Sequence, residues 1–187
     1  MIFIPLFVSL VFIYNAHSNP FSKRNNAFLF FAFLFVCLGD YIINLTQWGA
    51  WFIIPFVLVH VNLILYFSKE KPWTKSDIKF VWPIMLLSAL LYFILIPIIA
   101  DTTRLLVLAI YMALLSTMLW RAICYTTTKN NDPQKIRIIA GAFLFYVTDL
   151  SVASNVVIQS KVLIVVTWIC YVPALVMLSL MNYSFKK

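Results

Sequence analysis

The chain has 187 residues, of which 64% are hydrophobic and only 11% charged, whereas a soluble domain of that size is roughly half apolar and about a quarter charged. Such a chain cannot cover its own surface with polar groups, which excludes a soluble globular domain and predicts an integral membrane protein. Scarce glycine and the lack of alternating-polarity strands exclude a membrane barrel, and no nucleic-acid motif or glycine-rich phosphate loop appears.

Taken in chain order, apolar runs of about 20 residues each predict one spanning helix. The first covers 1–17; it starts at Met1 with no basic residue ahead and no clear small-residue cleavage site, so it reads as a span and not as a signal peptide. The second, 27–45, contains "AFLFVCLGDYIINL" with Asp40 and Asn44; the third, 48–67, carries His60; the fourth, 80–98, carries Tyr92. The fifth, 104–123, holds Tyr111, and the sixth, 138–156, holds "AFLFYVTDLSVASN" with Thr148, Asp149 and Asn155. The seventh, 161–182, holds Thr167 and Tyr171. The expected fold class is therefore all-α, a polytopic transmembrane helical bundle of about seven spans, with residues 1–187 forming a single transmembrane domain.

The net charge of +8 sets topology and does not mark an anionic partner. Lys23 and Arg24, then Lys69, Lys71, Lys75 and Lys79, then Arg121, Lys129, Lys135 and Arg137, and finally Lys186 and Lys187 all fall in loops or tail on one side, 12 of the 14 basic residues. Only Arg104 and Lys161 fall on the other, which predicts an outward N-terminus and a cytoplasmic C-terminus. With no long loop and no leader, a multi-pass protein of a bacterial inner membrane is expected. Cys37, Cys124 and Cys170 have no paired or metal-like spacing and read as small packing residues.

Of the six acidic residues, Glu70, Asp77, Asp101 and Asp132 are assigned to loops, and only Asp40 and Asp149 lie within spans. A carboxylate at such depth costs at least a few kcal/mol and is normally kept for function. At about 1.5 Å of rise per residue, Asp40 lies roughly 20 Å and Asp149 roughly 17 Å from the cytoplasmic helix starts. Facing each other, the two would form a dyad that shares one proton, one member acting as acid and the other as base. Cys37, Tyr41 and Asn44 fall on the Asp40 face, and Phe145, Thr148, Val152 and Asn155 on the Asp149 face. Tyr92, Tyr111, Thr167 and Tyr171 reach similar depths, so a polar belt lining a cavity is expected, with interhelical glue as the plainer alternative for the tyrosines. His60 is expected a turn or two off that belt, and His17 near an interface. No metal is expected, because two distant histidines and no helix-borne ligand pair cannot build a zinc site.

These residues resemble the lysoplasmalogenase-type membrane proteins of the YhhN family along nearly the whole chain. The resemblance rests on the Gly-Asp helix "FVCLGDYIINL" with Asp40 and on "VLVHVNLILYF" with His60. It extends to "VLAIYMALLSTMLW" with Tyr111 and to "GAFLFYVTDLSVASN" with Asp149 and Asn155. Thr148 replaces the usual serine, Val36 stands where serine is frequent, and Leu175 stands where the last helix usually has glutamine. The resemblance implies a lysophospholipid substrate in the bilayer and hydrolysis of its vinyl ether to a fatty aldehyde and glycerophosphoethanolamine or glycerophosphocholine. No cofactor is implied. Asp40 and Asp149 would be catalytic, with Asn44, His60, Tyr92, Tyr111, Thr148, Asn155 and Tyr171 around the substrate. Two rivals also use intramembrane carboxylates. An intramembrane aspartyl protease would fit Gly39-Asp40 and Pro173-Ala174-Leu175, but the order of its blocks is reversed here; a proton-coupled transporter would want an inverted repeat, which the two parallel Asp helices do not supply.

Overall fold

The computed structural model describes residues 23–45, 53–99, 101–127 and 134–181. Those residues form six α-helices: α1 (Lys23–Leu45), α2 (Ile53–Glu70), α3 (Val81–Leu95), α4 (Thr102–Thr126), α5 (Gln134–Ile158) and α6 (Lys161–Ser179). Short 3₁₀ helices, Lys75–Phe80 and Ile96–Ile98, flank α3, and no strand occurs among the described residues. Six of the expected runs thus appear as helices, four of them in segments long and apolar enough to cross a membrane: Lys75–Ile98, Thr102–Thr126, Gln134–Asn155 and Lys161–Ser179. The expected first span, 1–17, lies outside the described residues, as do His17 and the tail lysines.

Local chemistry sets the helix ends. Asp101 caps α4, its carboxylate accepting from the Thr103 and Arg104 amides at 2.8 and 3.4 Å, and the Ser160 hydroxyl caps α6 by accepting from the Val162 amide. Pro55 and Pro83 sit in first turns, where a missing N–H breaks no helical bond. Pro173, inside α6, forfeits the bond to the Ile169 carbonyl. Between α5 and α6 only Gln159 and Ser160 intervene, and Gln159 makes the reversal with φ 51°, its amide returning to the Asn155 carbonyl at 3.0 Å. Such a left-handed residue at a helix end is the usual way to stop one helix and turn the chain.

α4 is the hub, packing on α2, α3 and α5, while α1 lies along α2 and α6 along α5. Over its spanning window 56% of α4 is buried, against 17% for the segment containing α3, which therefore turns its apolar side chains outward as a lipid-facing helix does. A hydroxyl junction ties three helices together: the Ser88 Oγ meets the Ser116 Oγ at 2.6 Å and the Tyr146 hydroxyl at 2.5 Å. In an apolar bundle such bonds substitute for a hydrophobic drive between helices.

Three charged residues read as loop residues are instead built into the bundle. α4 continues to Thr126, so Arg121 is helical and fully buried. Its Nε donates to the Ser68 hydroxyl, its terminal nitrogen donates to the Lys71 carbonyl, and its guanidinium lies over the Trp73 and Trp120 rings at 5.5 and 5.6 Å. The Lys71 ammonium meets the Asp77 carboxylate at 2.6 Å and the Thr127 hydroxyl at 2.8 Å, and the Trp120 indole donates to the Asp77 carbonyl. A charge can continue an apolar helix when nearby acceptors replace its water, and here they serve the Arg121 Nε and one terminal nitrogen, the other terminal nitrogen being buried without a hydrogen-bond partner.

Candidate active site

A cavity of about 250 Å³ opens between α1, α2, α5 and α6. α1 contributes Asp40 and Ile43, α2 contributes Phe56, and α5 contributes Thr148, Asp149, Val152 and Asn155. α6 supplies Ile164, Thr167, Trp168 and Tyr171, the one-turn spacing of a single helix face. Asp40 and Asp149, only 8% and 3% exposed, share this cavity. Gly39 makes the approach of α1 possible: a Cβ there would lie 2.6 Å from the Phe56 ring.

Each carboxyl has its own donors. The Tyr171 hydroxyl donates to Asp40 Oδ2 at 2.5 Å, joining α6 to α1 across 131 positions of sequence. Asp149 Oδ2 takes two partners, the His60 Nε2 at 2.5 Å and the Tyr111 hydroxyl at 2.8 Å. His60 is fully buried and its Nδ1 has no hydrogen-bond partner, so Nε2 is the nitrogen that engages Asp149. Phe145 packs 5.3 Å from the His60 ring and stacks on Tyr171 at 6.4 Å, so one apolar side chain separates the two donor sets.

The expected site residues sort as follows. Asp40, Thr148, Asp149, Asn155 and Tyr171 line the cavity, and His60 and Tyr111 stand behind Asp149. His60 is thus on the belt and not a turn or two away from it. Tyr92 is elsewhere: it packs on the cluster of Leu95, Ile99, Leu108 and Met112, its hydroxyl donating to the Leu105 carbonyl at 3.4 Å. Asn44 lies in α1, but its side chain is outside the described residues. Tyr41 is half exposed and points away from the cavity lining. Phe56 and Trp168 were not singled out from the sequence, although the first is four residues from His60 and the second three from Tyr171, spacings that place them on the same faces.

Among the described residues no three His, Cys, Asp or Glu side chains lie close enough to hold a metal ion. What the cavity offers is two carboxyls with phenol and imidazole donors behind them and an aromatic wall, with no Lys or Arg among the described lining residues. That arrangement suits proton transfer to and from an apolar molecule, with a developing positive charge stabilised beside a carboxylate.

Fold and site together define a helical membrane protein with a buried carboxylate pair in a cavity among its helices. The chain belongs to the YhhN family, the family of lysoplasmalogenases, whose model matches residues 1–181. Neither a curated protein nor a solved structure matches it.

Proposed function

We propose that the protein is a lysoplasmalogenase, hydrolysing the vinyl ether of a lysoplasmalogen inside the membrane. The observation that carries this reading is the shared cavity of Asp40 and Asp149, each carboxyl held by a donor from another helix. At about 250 Å³ the cavity is smaller than the roughly 300–1,000 Å³ of pockets that enclose a whole ligand. It would therefore take the ether end of a lipid and leave the alkenyl chain in the hydrocarbon.

The roles follow from the donors. Asp149, with two hydrogen bonds into one oxygen, is the ionised partner, and Asp40 carries the shared proton. Asp40 gives that proton to the β-carbon of the vinyl ether, leaving an oxocarbenium ion beside the Asp149 carboxylate. Water adds to the cationic carbon as Asp149 takes its proton. The hemiacetal then collapses, a proton passing to the leaving glycerol oxygen and one returning to Asp40, so that water is consumed and an aldehyde and a glycerophospho-alcohol are released. Two carboxyls divide the work around an oxocarbenium ion in glycosidases in the same way. Tyr171, Tyr111 and His60 orient the carboxyls, and Thr148 and Asn155 meet the glycerol part.

The same proposal includes a seven-span bundle as one domain, in a bacterial inner membrane, with the N-terminus outside and the C-terminus in the cytoplasm. With Arg121 inside α4, eleven basic residues remain at one set of helix ends and loops against two at the other, which still supports that orientation.

The test is aldehyde release from a synthetic lysoplasmalogen by the purified protein. Asp40→Asn and Asp149→Asn should each lower turnover by about 10²–10⁴-fold while the protein stays folded and inserted, because neither change leaves a new buried charge. Full activity in either variant would remove that residue from the chemistry. Alkyl and acyl lysolipids with the same head group should bind without being cleaved, since neither has a carbon whose protonation makes the cation, and a chelator should leave turnover unchanged. Hydrolysis of the acyl analogue at a similar rate would overturn the mechanism.

A further inference from the structure

Asn155 lines the cavity six residues beyond Asp149 on α5, and its Oδ1 is buried with no hydrogen-bond partner. The threonine hydroxyl protons and one oxygen of each carboxyl in the lining are already engaged. The Thr148 and Thr167 hydroxyls donate back to the Leu144 and Leu163 carbonyls at 2.8 Å, and the two carboxyls hold the phenol and imidazole donors. A buried amide oxygen without a donor is unfavourable, and a ligand that brings an O–H to it recovers that loss. The backbone around Asn155 is fixed, since its own carbonyl accepts from the Gln159 amide in the tight turn to α6.

We infer that Asn155 Oδ1 accepts the hydrogen bond of the free sn-2 hydroxyl of the lysolipid, and so selects lysolipids over lipids acylated at that position. This rests on the lysoplasmalogenase reading of the cavity. Six residues of helix set Asn155 about 9 Å along α5 from Asp149. Four bonds separate the cationic carbon beside Asp149 from the sn-2 oxygen, a span of about 4–5 Å at ordinary bond lengths, and the reach of the two side chains makes up the remainder. An acyl group at sn-2 removes the only O–H donor at that point and adds a second chain to a cavity of about 250 Å³.

The test uses uncleavable probes with a choline head group, which has no N–H to compete: a 1-O-alkyl glycerophosphocholine with a free sn-2 hydroxyl and its 2-deoxy analogue. Their binding to the full-length protein in nanodiscs should differ about tenfold in favour of the hydroxyl, the size of one hydrogen bond made to a buried acceptor. Asn155→Leu should bind the two alike by weakening only the hydroxyl-bearing probe, and Asn155→Asp, which keeps an acceptor, should restore the preference. Equal binding by the wild type, or a preference that survives in Asn155→Leu, would overturn the assignment, as would failure to bind either probe. Aldehyde release from the vinyl-ether lysolipid is scored separately, and its absence would remove the hydrolase reading while leaving the hydroxyl preference measurable.

Discussion

Asp149 Oδ2 receives an imidazole and a phenol at once, and the two donors are not equivalent. The imidazole contact is the shorter, and its ring is wedged against Phe145, so His60 fixes where the carboxylate points. His60→Gln should lower turnover by about 10–100-fold, the worth of one hydrogen bond to a charged group. That is less than either Asp→Asn change, and it should add to Tyr111→Phe by less than the sum of the two, since both act on one oxygen. Turnover of the double variant equal to the product of the single losses would show that the two donors act independently. A second pair tests stability instead of chemistry. Asp77 and Lys71 are both buried, so Asp77→Ala leaves an ammonium without its carboxylate and should destabilise the protein by about 3 kcal/mol. Adding Lys71→Met should recover part of that loss in thermal unfolding; no recovery would mean that the pair is not what the substitution broke.

Helices are legible from their apolar runs, and several of their ends are not. α4 runs three residues past its apolar run, and Arg121, counted with the following loop, is buried in it because it finds Ser68, the Lys71 carbonyl and the Trp73 indole, partners that come from other parts of the chain and leave no mark in the local pattern. Asp77 was assigned to a solvated loop for the same reason, its lysine partner being visible only after the chain folds back. The Gly39 contact shows what a helix pair can demand of one position. Gly39→Ala would drive a methyl group into the Phe56 ring, which lines the cavity beside Asp40. The ring must swing, so the variant should stay folded, bind the lysolipid several-fold more weakly and lose turnover with it. A variant that unfolds, or one with unchanged binding, would show that the ring is not free to move as proposed.

At the scale of the whole molecule, matched depth in two helices running the same way predicts that Asp40 and Asp149 share one space, and the structure places both on one cavity. Which side chains serve them was only partly readable, because depth fixes a level and not a facing direction: Tyr171 and Tyr111 are donors, whereas Tyr92 at a similar level packs into an apolar cluster. Orientation rests on the basic residues alone. Reporter fusions after Asn131 and at the C-terminus should both read as cytoplasmic and a fusion near Asp101 as external, and opposite readings from the first two would break the span count.

On the proposed seven-span topology Asp40 enters the bilayer early in synthesis, on the first described helix, yet its phenol is made 131 residues later, on the last described one. Translation at about 5–20 residues per second makes that interval several seconds or more, during which the carboxyl is lodged in lipid or in an assembly factor without the Tyr171 hydroxyl. Order of insertion thus becomes a constraint on the chain: the acid is committed before its partner exists, and the site can close only when the α5–α6 hairpin arrives as a unit. Ribosome-stalled chains ending near Ser160 should therefore be extracted from membranes or degraded far faster than complete ones, and Asp40→Asn should remove most of that difference. Equal lifetimes for the truncated and complete chains would show that α1 is held securely without the hairpin.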